Sequence, residues 1–243
     1  MIYVTDGSFE GVLTAVFEAY KNKTEPEDII VSKDGYQLSL LPAMEVASDS
    51  EKSARVEKAI VEKMGREALE TIYRAYLSDS PDVGMAIYNF IKIGLKTGRR
   101  VLSYLQHPDI LKVHDMSSRV LKETHLFLGI LRFRKLKNGI YYSKIEPDGN
   151  IIAFLAEHFA ARLSDQPWII HDAKRGICAL YNTIEVVFTD EPIHLKEDFQ
   201  DEFETLWKRY FDTIAIESRK NLKLQRQFMP KRYWKNLIEK QNL

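Results

Sequence analysis

The fold class follows first from one short stretch, LRFRKLKNGIYYSKI, which occupies residues 131–145. Apolar residues alternate here with Arg132 and Arg134, and this period of two is typical of a β-strand with one buried face. Residues 138–139 are Asn-Gly, a strong signal for a tight turn between two strands. The stretch therefore predicts a β-hairpin whose second strand is IYYSKI.

C-terminal to the hairpin, the sequence predicts one helix and three more strands. After a Pro-Asp-Gly-Asn turn, apolar residues recur at helical spacing: Ile152, Leu155, Phe159 and Leu163. Runs rich in β-branched and aromatic residues then predict strands at residues 168–172, 177–181 and 184–188. This order lacks the regular βαβ alternation of a parallel sheet. We therefore predict an α+β fold with a mostly antiparallel sheet.

Helical patterns surround the predicted sheet in the sequence. A β-type run at residues 2–4 and another at residues 38–41 interrupt amphipathic helices that extend to about residue 125. The pattern becomes helical again from Asp198 to about Phe228, and a short final helix follows Pro230. We therefore expect N- and C-terminal helices around the sheet.

The weakest point in this organisation lies near residues 78–82, where a Ser-Pro pair ends one predicted helix. The sequence predicts an N-terminal strand and helix portion at residues 1–80 and a main α+β domain at residues 81–243. One continuous domain is the alternative, because no low-complexity linker separates the two.

Charge is unevenly distributed along a chain whose formal net charge is zero. Residues 190–204 contain seven carboxylates and one lysine, whereas residues 208–240 contain ten Lys or Arg and three carboxylates. Residues 119–137 contain six cations and the single carboxylate Glu123. A protein that is basic overall is excluded, but locally basic surfaces are predicted.

Several kinds of chemistry lack their sequence signatures. The one cysteine, Cys178, cannot supply the thiolates of an iron–sulfur cluster or a paired-cysteine zinc site. No dinucleotide-binding or phosphate-binding glycine motif and no G-x-S-x-G elbow occurs, and the six histidines are scattered. We therefore expect no metal, no cofactor, and neither a zinc nor a serine hydrolase.

Localisation is predicted from two further absences. No secretory signal opens the sequence, and no run approaches the roughly 20 apolar residues that span a bilayer. A lone cysteine also fits a reducing compartment. We expect a cytoplasmic protein with no membrane partner.

The C-terminal stretch RQFMPKRYWKNLIEK, residues 226–240, combines cations with aromatic rings. Lys and Arg neutralise phosphates and aromatic rings stack on bases, so the stretch suits a nucleic-acid strand. The candidate residues are Lys231, Arg232, Tyr233, Trp234 and Lys235. The alternative is a helix that packs its aromatic residues on the core and exposes its cations.

Other cations are candidates for the same role. Arg132 and Arg134 lie on one face of the predicted hairpin, where an anion would relieve their repulsion, although pairing with Glu146 or with the acidic helix near Glu202 is the alternative. Arg175 lies in a tight turn and suits anion binding. Arg162 lies four residues after His158 on one helix face, so the two could meet one phosphate. A half-buried histidine is the alternative for His158.

Catalytic candidates are few. His171 and Asp172 lie at the end of a predicted strand, where a carboxylate could raise the pKa of the histidine. Neighbouring strand residues point to opposite faces, however, so a direct pair is unfavourable. Together with His158, these are the candidates for a catalytic role, and whether the protein is an enzyme stays open. The alternative is a turn whose polar groups bind only backbone atoms.

At five stretches the sequence resembles a known family. They are TDGSFEGVLTAVFEAY, FLGILRFRKLKNGIYYSKIEPDGNI, the His-Phe pair at residues 158–159, WIIHDAKRG and FMPKRYWKNLIE. Together they resemble the DUF4130 proteins, which are described as DNA-metabolism proteins. The positions that match the family motif are Arg132, Phe133, His158, Arg162, Trp168, Asp172, Arg175, Tyr233 and Trp234. The family has no established catalytic residues, so these positions are not an inherited active site.

The resemblance implies partners rather than a reaction. Such proteins are typically encoded beside a DNA-repair-type radical-SAM protein, and some are fused to a uracil-DNA-glycosylase-like domain. This chain is expected to be the unfused form. Because it lacks cluster cysteines, any radical chemistry is expected to belong to the partner.

The expected function is that of a DNA-metabolism or DNA-repair accessory protein. It would bind DNA, the radical-SAM protein, or both, through a basic surface that contains aromatic residues. One alternative is a nucleic-acid-processing hydrolase or glycosylase-like enzyme. The other is an adaptor that binds the radical-SAM protein without contacting DNA, through its basic tail and the acidic residues Asp198, Asp201, Glu202 and Glu204.

Overall fold

The computed structural model describes residues 1–31, 43–191 and 229–237, plus positions 206, 209, 213, 221, 223 and 226, but not the side chains of residues 235 and 236. The chain divides into two compact units, Met1–Leu121 and Lys122–Leu243. We call them the N-terminal unit and the C-terminal unit. The division falls inside a helix, whereas the sequence placed its boundary near residue 80.

The N-terminal unit contains a three-stranded parallel sheet. Strand β1 (Ile2–Thr5) lies between β2 (Asp28–Val31) and β3 (Ala43–Val46). All four residues of β1 are buried, as expected for the central strand of a parallel sheet. The prediction of a mostly antiparallel sheet is wrong for this unit. Sequence patterns indicate where a strand lies, but the direction of pairing depends on residues far along the chain.

The N-terminal unit also contains helices, two of which begin at polar side-chain caps. They are α1 (Phe9–Lys21), α2 (Ser50–Met64), α3 (Arg66–Tyr76), α4 (Val83–Thr97), a 3-10 helix (Gly98–Ser103) and α5 (Pro108–Ile130), inside which the two units divide. The side chains of Ser8 and Asp49 accept hydrogen bonds from backbone N–H groups at the starts of α1 and α2. A Cβ atom at Gly84 of α4 would overlap the carbonyl oxygen of Ile29 in β2, so close packing requires glycine there.

The C-terminal unit contains a five-stranded mixed sheet. Its strands, in spatial order, are β4 (Arg134–Lys135), β5 (Tyr141–Ile145), β6 (Trp168–Asp172), β7 (Ile177–Tyr181) and β8 (Val186–Thr189). The predicted hairpin is present as the antiparallel pair β4–β5. Strands β5 and β6 are parallel, because helix α6 (Ile152–Arg162) returns the chain to the same end of the sheet. The α+β class is confirmed, but the sheet is mixed rather than mostly antiparallel.

The first strand of the hairpin is shorter than the alternating pattern predicts. Helix α5 continues to Ile130, and β4 contains only two residues. Phe127 and Ile130 lie three positions apart on this helix and are both buried. Their helical spacing buries more apolar surface than an extended chain would at this point, so the helix continues close to the hairpin.

The two faces of this sheet carry different apolar clusters. One face holds a buried cluster of Leu136, Tyr142, Ile169 and Cys178. The opposite face carries aromatic rings whose centroids lie 5.1, 6.1 and 5.2 Å apart in the order Phe159, Phe133, Trp168 and Tyr181. Trp168, which matches the family motif, is thus a core residue of this unit, and Phe133, which also matches it, is half-buried beside Trp168.

Two predicted elements lie outside the described residues. They are the strand at residues 38–41 and most of the helix from Asp198 to about Phe228. The predicted final helix is a 3-10 helix, Lys231–Asn236. The helices that the structure describes fall short, in length or in hydropathy, of what a bilayer-spanning segment requires.

Candidate nucleic-acid interface

A turn between β5 and α6 is the meeting point of several polar side chains in the C-terminal unit. We call it the Asp148 turn and define it as residues 147–149. It is contacted by Glu123 of α5, by Lys174 and Arg175 from the turn between β6 and β7, and by Arg232 of the C-terminal 3-10 helix.

Glu123 binds the backbone of the Asp148 turn. Its Oε1 accepts a hydrogen bond from the N–H of Asp148, and its Oε2 accepts one from the N–H of Gly149, both at 2.8 Å. Hydrogen bonds to an ionised carboxylate are stronger than neutral ones. This carboxylate therefore fixes the turn against α5.

Tyr233 links the C-terminal segment to the same carboxylate. Its hydroxyl donates to Glu123 Oε1 at 2.5 Å. Its ring is only 2% exposed and meets Phe127 edge-to-face at 4.9 Å. Burial, together with the hydrogen bond to Glu123, raises the pKa of Tyr233 well above its ordinary value, so the phenol stays a neutral donor. Tyr233 is therefore an anchor in this structure, and its ring is not available to stack on a base.

Arg232 packs on the ring of Tyr233. Its guanidinium lies 4.7 Å from the centroid of the Tyr233 ring and donates to the Tyr233 hydroxyl at 2.7 Å. It also pairs with the Asp148 carboxylate at 2.6 Å. The side chains of Arg232 and Asp148 are 56% and 61% exposed, so the pair is accessible to solvent and to a ligand.

Asp172 organises the turn between β6 and β7. Its carboxylate is fully buried. One oxygen accepts from the N–H groups of Lys174 and Arg175 at 3.1 and 3.3 Å, and the other accepts from the Arg175 guanidinium at 2.7 Å. Because both oxygens are engaged and buried, Asp172 is closed to a substrate in this structure and acts as a structural residue.

The cations of this second turn reach the Asp148 turn. Lys174 Nζ donates to the carbonyl oxygen of Asp148 at 2.9 Å, and the Arg175 guanidinium donates to the carbonyls of Pro147 and Asp148. Two of the three predicted basic stretches, around residues 174–175 and 231–232, therefore meet at one turn.

The third basic stretch has a different position. Arg134 and Lys135 form the edge strand β4, and the Lys135 ammonium lies 5.6 Å from the ring centroid of Tyr141. Arg132 donates to the carbonyls of Gly129 and Leu131 at 2.9 and 3.3 Å. Such contacts satisfy carbonyls at the C-terminal end of α5, which attracts cations.

Lys231 and Trp234 both lie in the C-terminal 3-10 helix. Lys231 is exposed, and its ammonium lies 6.0 Å from the centroid of the half-buried Trp234 ring. The Trp234 indole N–H donates to the carbonyl of Met229 at 2.9 Å. Trp234 is thus held in place next to an exposed cation. The side chain of Lys235 lies outside the described residues.

His158 and Arg162 lie on α6. Arg162 is exposed, whereas His158 is half-buried with its ring edge-on to Phe159 at 5.1 Å. The Nε2 atom of His158 is buried and forms no hydrogen bond with the described residues. Arg162 is therefore accessible to solvent, and His158 lies partly in the core.

His171 faces away from its neighbour Asp172. Its Nδ1 atom lies 2.8 Å from the Tyr142 hydroxyl, on the sheet face opposite the Asp172 carboxylate. Burial and then the positive charge of Lys144 lower the pKa of His171 below its ordinary value, although Asp172 acts in the opposite direction. His171 and Asp172 therefore do not form a hydrogen-bonded acid–base pair.

Metal ligation finds no support among the residues that the structure describes. No group of three His, Cys, Asp or Glu side chains lies together there in a way that could hold an ion. Cys178 is buried in the sheet, and burial raises the pKa of its thiol.

Two central residues of this arrangement, Glu123 and Asp148, were not predicted as site residues. Glu123 had one sequence signal, because it is the only carboxylate in the basic stretch at residues 119–137. Asp148 was interpreted only as a turn residue, since Pro-Asp-Gly is a common turn sequence. Their partners lie far away in the sequence, so local pattern does not identify them.

The family relationship agrees with the resemblance noted in the sequence. Residues 81–239 match the family model DUF4130, a domain of unknown function. The match covers more than half of the chain, and the protein belongs to the DUF4130 family. No curated protein and no solved structure matches the chain.

Proposed function

We propose that this DUF4130 protein is an accessory protein of DNA metabolism that binds nucleic acid through the surface around the Asp148 turn. The observation that supports the proposal most directly is the meeting of two basic segments at that turn, with Lys174, Arg175 and Arg232 all bonded to it. A backbone phosphate needs several cations in one place, and this turn supplies them.

The cations differ in how available they are to a ligand. Lys174 and Lys231 are exposed, and the Arg232 side chain is more than half exposed. The Arg175 side chain is 11% exposed and is held by Asp172, so its role is to position the turn. Because Asp148 neutralises part of this charge, we expect only about two or three phosphate contacts and a log–log salt slope of about −1.4 to −2.1 on a single strand.

Trp234 is the aromatic residue that would stack on a base in the proposed interface. Tyr233 is buried, whereas Trp234 is half-buried beside the exposed ammonium of Lys231. A ring next to a cation suits a base and its adjoining phosphate in a single strand. The proposed interface therefore favours single-stranded or locally opened DNA over an intact duplex.

Fluorescence anisotropy tests the DNA part of the proposal. A labelled oligonucleotide is titrated with the full chain, once as a single strand and once as a duplex, over a series of salt concentrations. We expect tighter binding to the single strand and weaker binding as salt rises. Binding to neither form, or binding that does not change with salt, would contradict it.

A radical-SAM enzyme of the DNA-repair type is the proposed protein partner. Support comes from the family resemblance and from the single buried Cys178, which leaves cluster ligation to another chain. Co-purification of the two proteins, with and without nuclease treatment, tests the pairing. A complex that survives nuclease treatment indicates direct protein contact. A complex lost on nuclease treatment indicates that DNA joins the two, and no complex at all contradicts the pairing.

A further inference from the structure

The N-terminal unit contains an apolar cleft formed by three helices. Aromatic and aliphatic side chains of α1, α2 and α4 line it, and one of the lining residues is charged. The residues that matter below are Phe17, Tyr20, Arg55, Ile60, Ile91 and Leu95. A concave apolar site with few polar groups is the usual form of a small-molecule site.

Arg55 lies on the aromatic wall of this cleft. Its guanidinium carbon is 4.9 Å from the centroid of the Phe17 ring. This contact holds the side chain in place without neutralising its charge. Among the residues that the structure describes, no carboxylate pairs with Arg55.

The nearest carboxylate in sequence to Phe17 is already engaged. Glu18 pairs with Lys52 at 3.0 Å and with Lys21 at 3.9 Å. The cleft therefore combines an apolar interior with one positive charge that has no counter-ion among the residues of this unit that the structure describes. Charge complementarity indicates a ligand with an apolar body and one negative group.

We propose that this cleft binds a small amphiphilic carboxylate, whose apolar chain packs against the accessible side chains of Phe17, Tyr20 and Leu95 and whose carboxylate pairs with Arg55. The cleft is small, so a ligand of medium chain length fits better than a long helix. This site lies apart in the sequence from the residues of the Asp148 turn, and it does not depend on DNA binding.

Octanoate and its neutral analogue octanamide are the probes. Binding to the full chain is measured by calorimetry and by two-dimensional NMR. We expect octanoate to bind about tenfold more tightly than octanamide, because a hydrogen-bonded pair with Arg55 requires the charge. The NMR signals that move should be those of the residues that line the cleft.

Variants test whether Arg55 causes the preference for octanoate over octanamide. Arg55→Ala should reduce the preference for octanoate over octanamide to about one, while leaving octanamide binding similar. Lys58→Ala, on the same helix but paired with Glu62, is the matched control and should change neither affinity. Ala59→Phe should fill the cleft and weaken both probes. If that variant does not fold, the NMR signals of the wild type still locate the site.

Three results would overturn this inference. The first is equal affinity for octanoate and octanamide in the wild type, and the second is signal changes outside the cleft. The third is displacement of octanoate by an acidic amphipathic peptide that shifts the same NMR signals at a lower concentration than octanoate does. That result would assign the cleft to a protein partner instead.

Discussion

The Tyr233 hydroxyl donates a hydrogen bond to the Glu123 carboxylate at 2.5 Å, and 110 positions separate the two residues in the sequence. The same carboxylate binds the backbone of the Asp148 turn. One carboxylate therefore fixes both the C-terminal 3-10 helix and the turn that Lys174 and Arg175 approach. The proposed interface depends on this link, because it holds Lys231, Arg232 and Trp234 in place.

Replacing Tyr233 by Phe should destabilise the protein. The change removes the hydroxyl that donates to an ionised carboxylate and keeps the buried ring. We expect the free energy of unfolding in urea to fall by about 1.5–3 kcal/mol. Tyr141→Phe is the matched control, since its hydroxyl forms no hydrogen bond with described residues, and should change the free energy by less than about 0.5 kcal/mol. Equal effects of the two variants would contradict the role of this hydrogen bond.

Replacing Asp148 by Asn should affect ligand binding more than stability. The Asp148–Arg232 pair is more than half exposed on both sides, so its loss should change the free energy of unfolding by less than about 1 kcal/mol. Arg232 is then free to meet a phosphate, and the single-strand salt slope should steepen by about 0.7.

Asp165→Asn provides the charge-matched comparison for that variant. Asp165 is exposed and follows α6, so the two variants have the same net charge. Anisotropy titrations should show tighter DNA binding for Asp148→Asn than for Asp165→Asn. If both strengthen binding equally, only net charge matters and the turn is not the binding surface.

Replacing Asp172 by Asn should damage the fold. The carboxylate is fully buried and compensates the charge of Arg175, whose side chain is 11% exposed. Removing one partner of a buried pair leaves an uncompensated charge, at a cost of about 3–5 kcal/mol. Urea unfolding measures this loss. A variant with wild-type stability that has lost an enzymatic activity would instead support a catalytic role for Asp172.

Stability should depend on pH through His171. Its pKa in the folded protein lies below the ordinary 6.5, so the unfolded chain takes up this proton first as the pH falls. The contribution of His171 is therefore fully present above about pH 6.5 and is lost as the pH falls towards the folded pKa. Urea unfolding between pH 5 and pH 7.5 should show a smaller decline for His171→Gln than for the wild type.

Lys144→Gln tests the cause of this shift. Lys144 lies opposite His171 in the paired strands β5 and β6, and its charge contributes to the lowered pKa. An NMR titration should show the pKa of His171 moving up towards 6.5 in this variant. An unchanged His171 titration would mean that burial alone lowers the pKa.

The sequence predicted the local elements of the C-terminal unit better than their arrangement. Asn138-Gly139 identified the hairpin because that turn is set by adjacent residues, and the strands at residues 168–172 and 177–181 have the predicted bounds. The parallel pairing of β5 with β6 was missed, because it depends on the path of α6. Strands β2 and β3 of the N-terminal unit were missed, whereas β1, which also contains four residues, was predicted.

Only part of the candidate site was predicted, because some of its residues are identified by contacts with residues far away in the sequence. Arg175, Arg232 and Tyr233 were identified from charge and aromatic content, which a sequence shows directly. Their partners Glu123 and Asp148 become relevant only when the chain folds. Whether a ring such as Tyr233 is exposed or buried also depends on distant residues, here Phe127.

The most direct test of the proposed interface compares salt slopes. Lys174 and Lys231 come from two separate segments, and both are exposed. The double variant Lys174→Ala/Lys231→Ala should lose about two phosphate contacts and flatten the single-strand slope by about 1.4, while Lys58→Ala leaves it unchanged. An unchanged slope and affinity for the double variant would contradict the claim that this surface binds DNA.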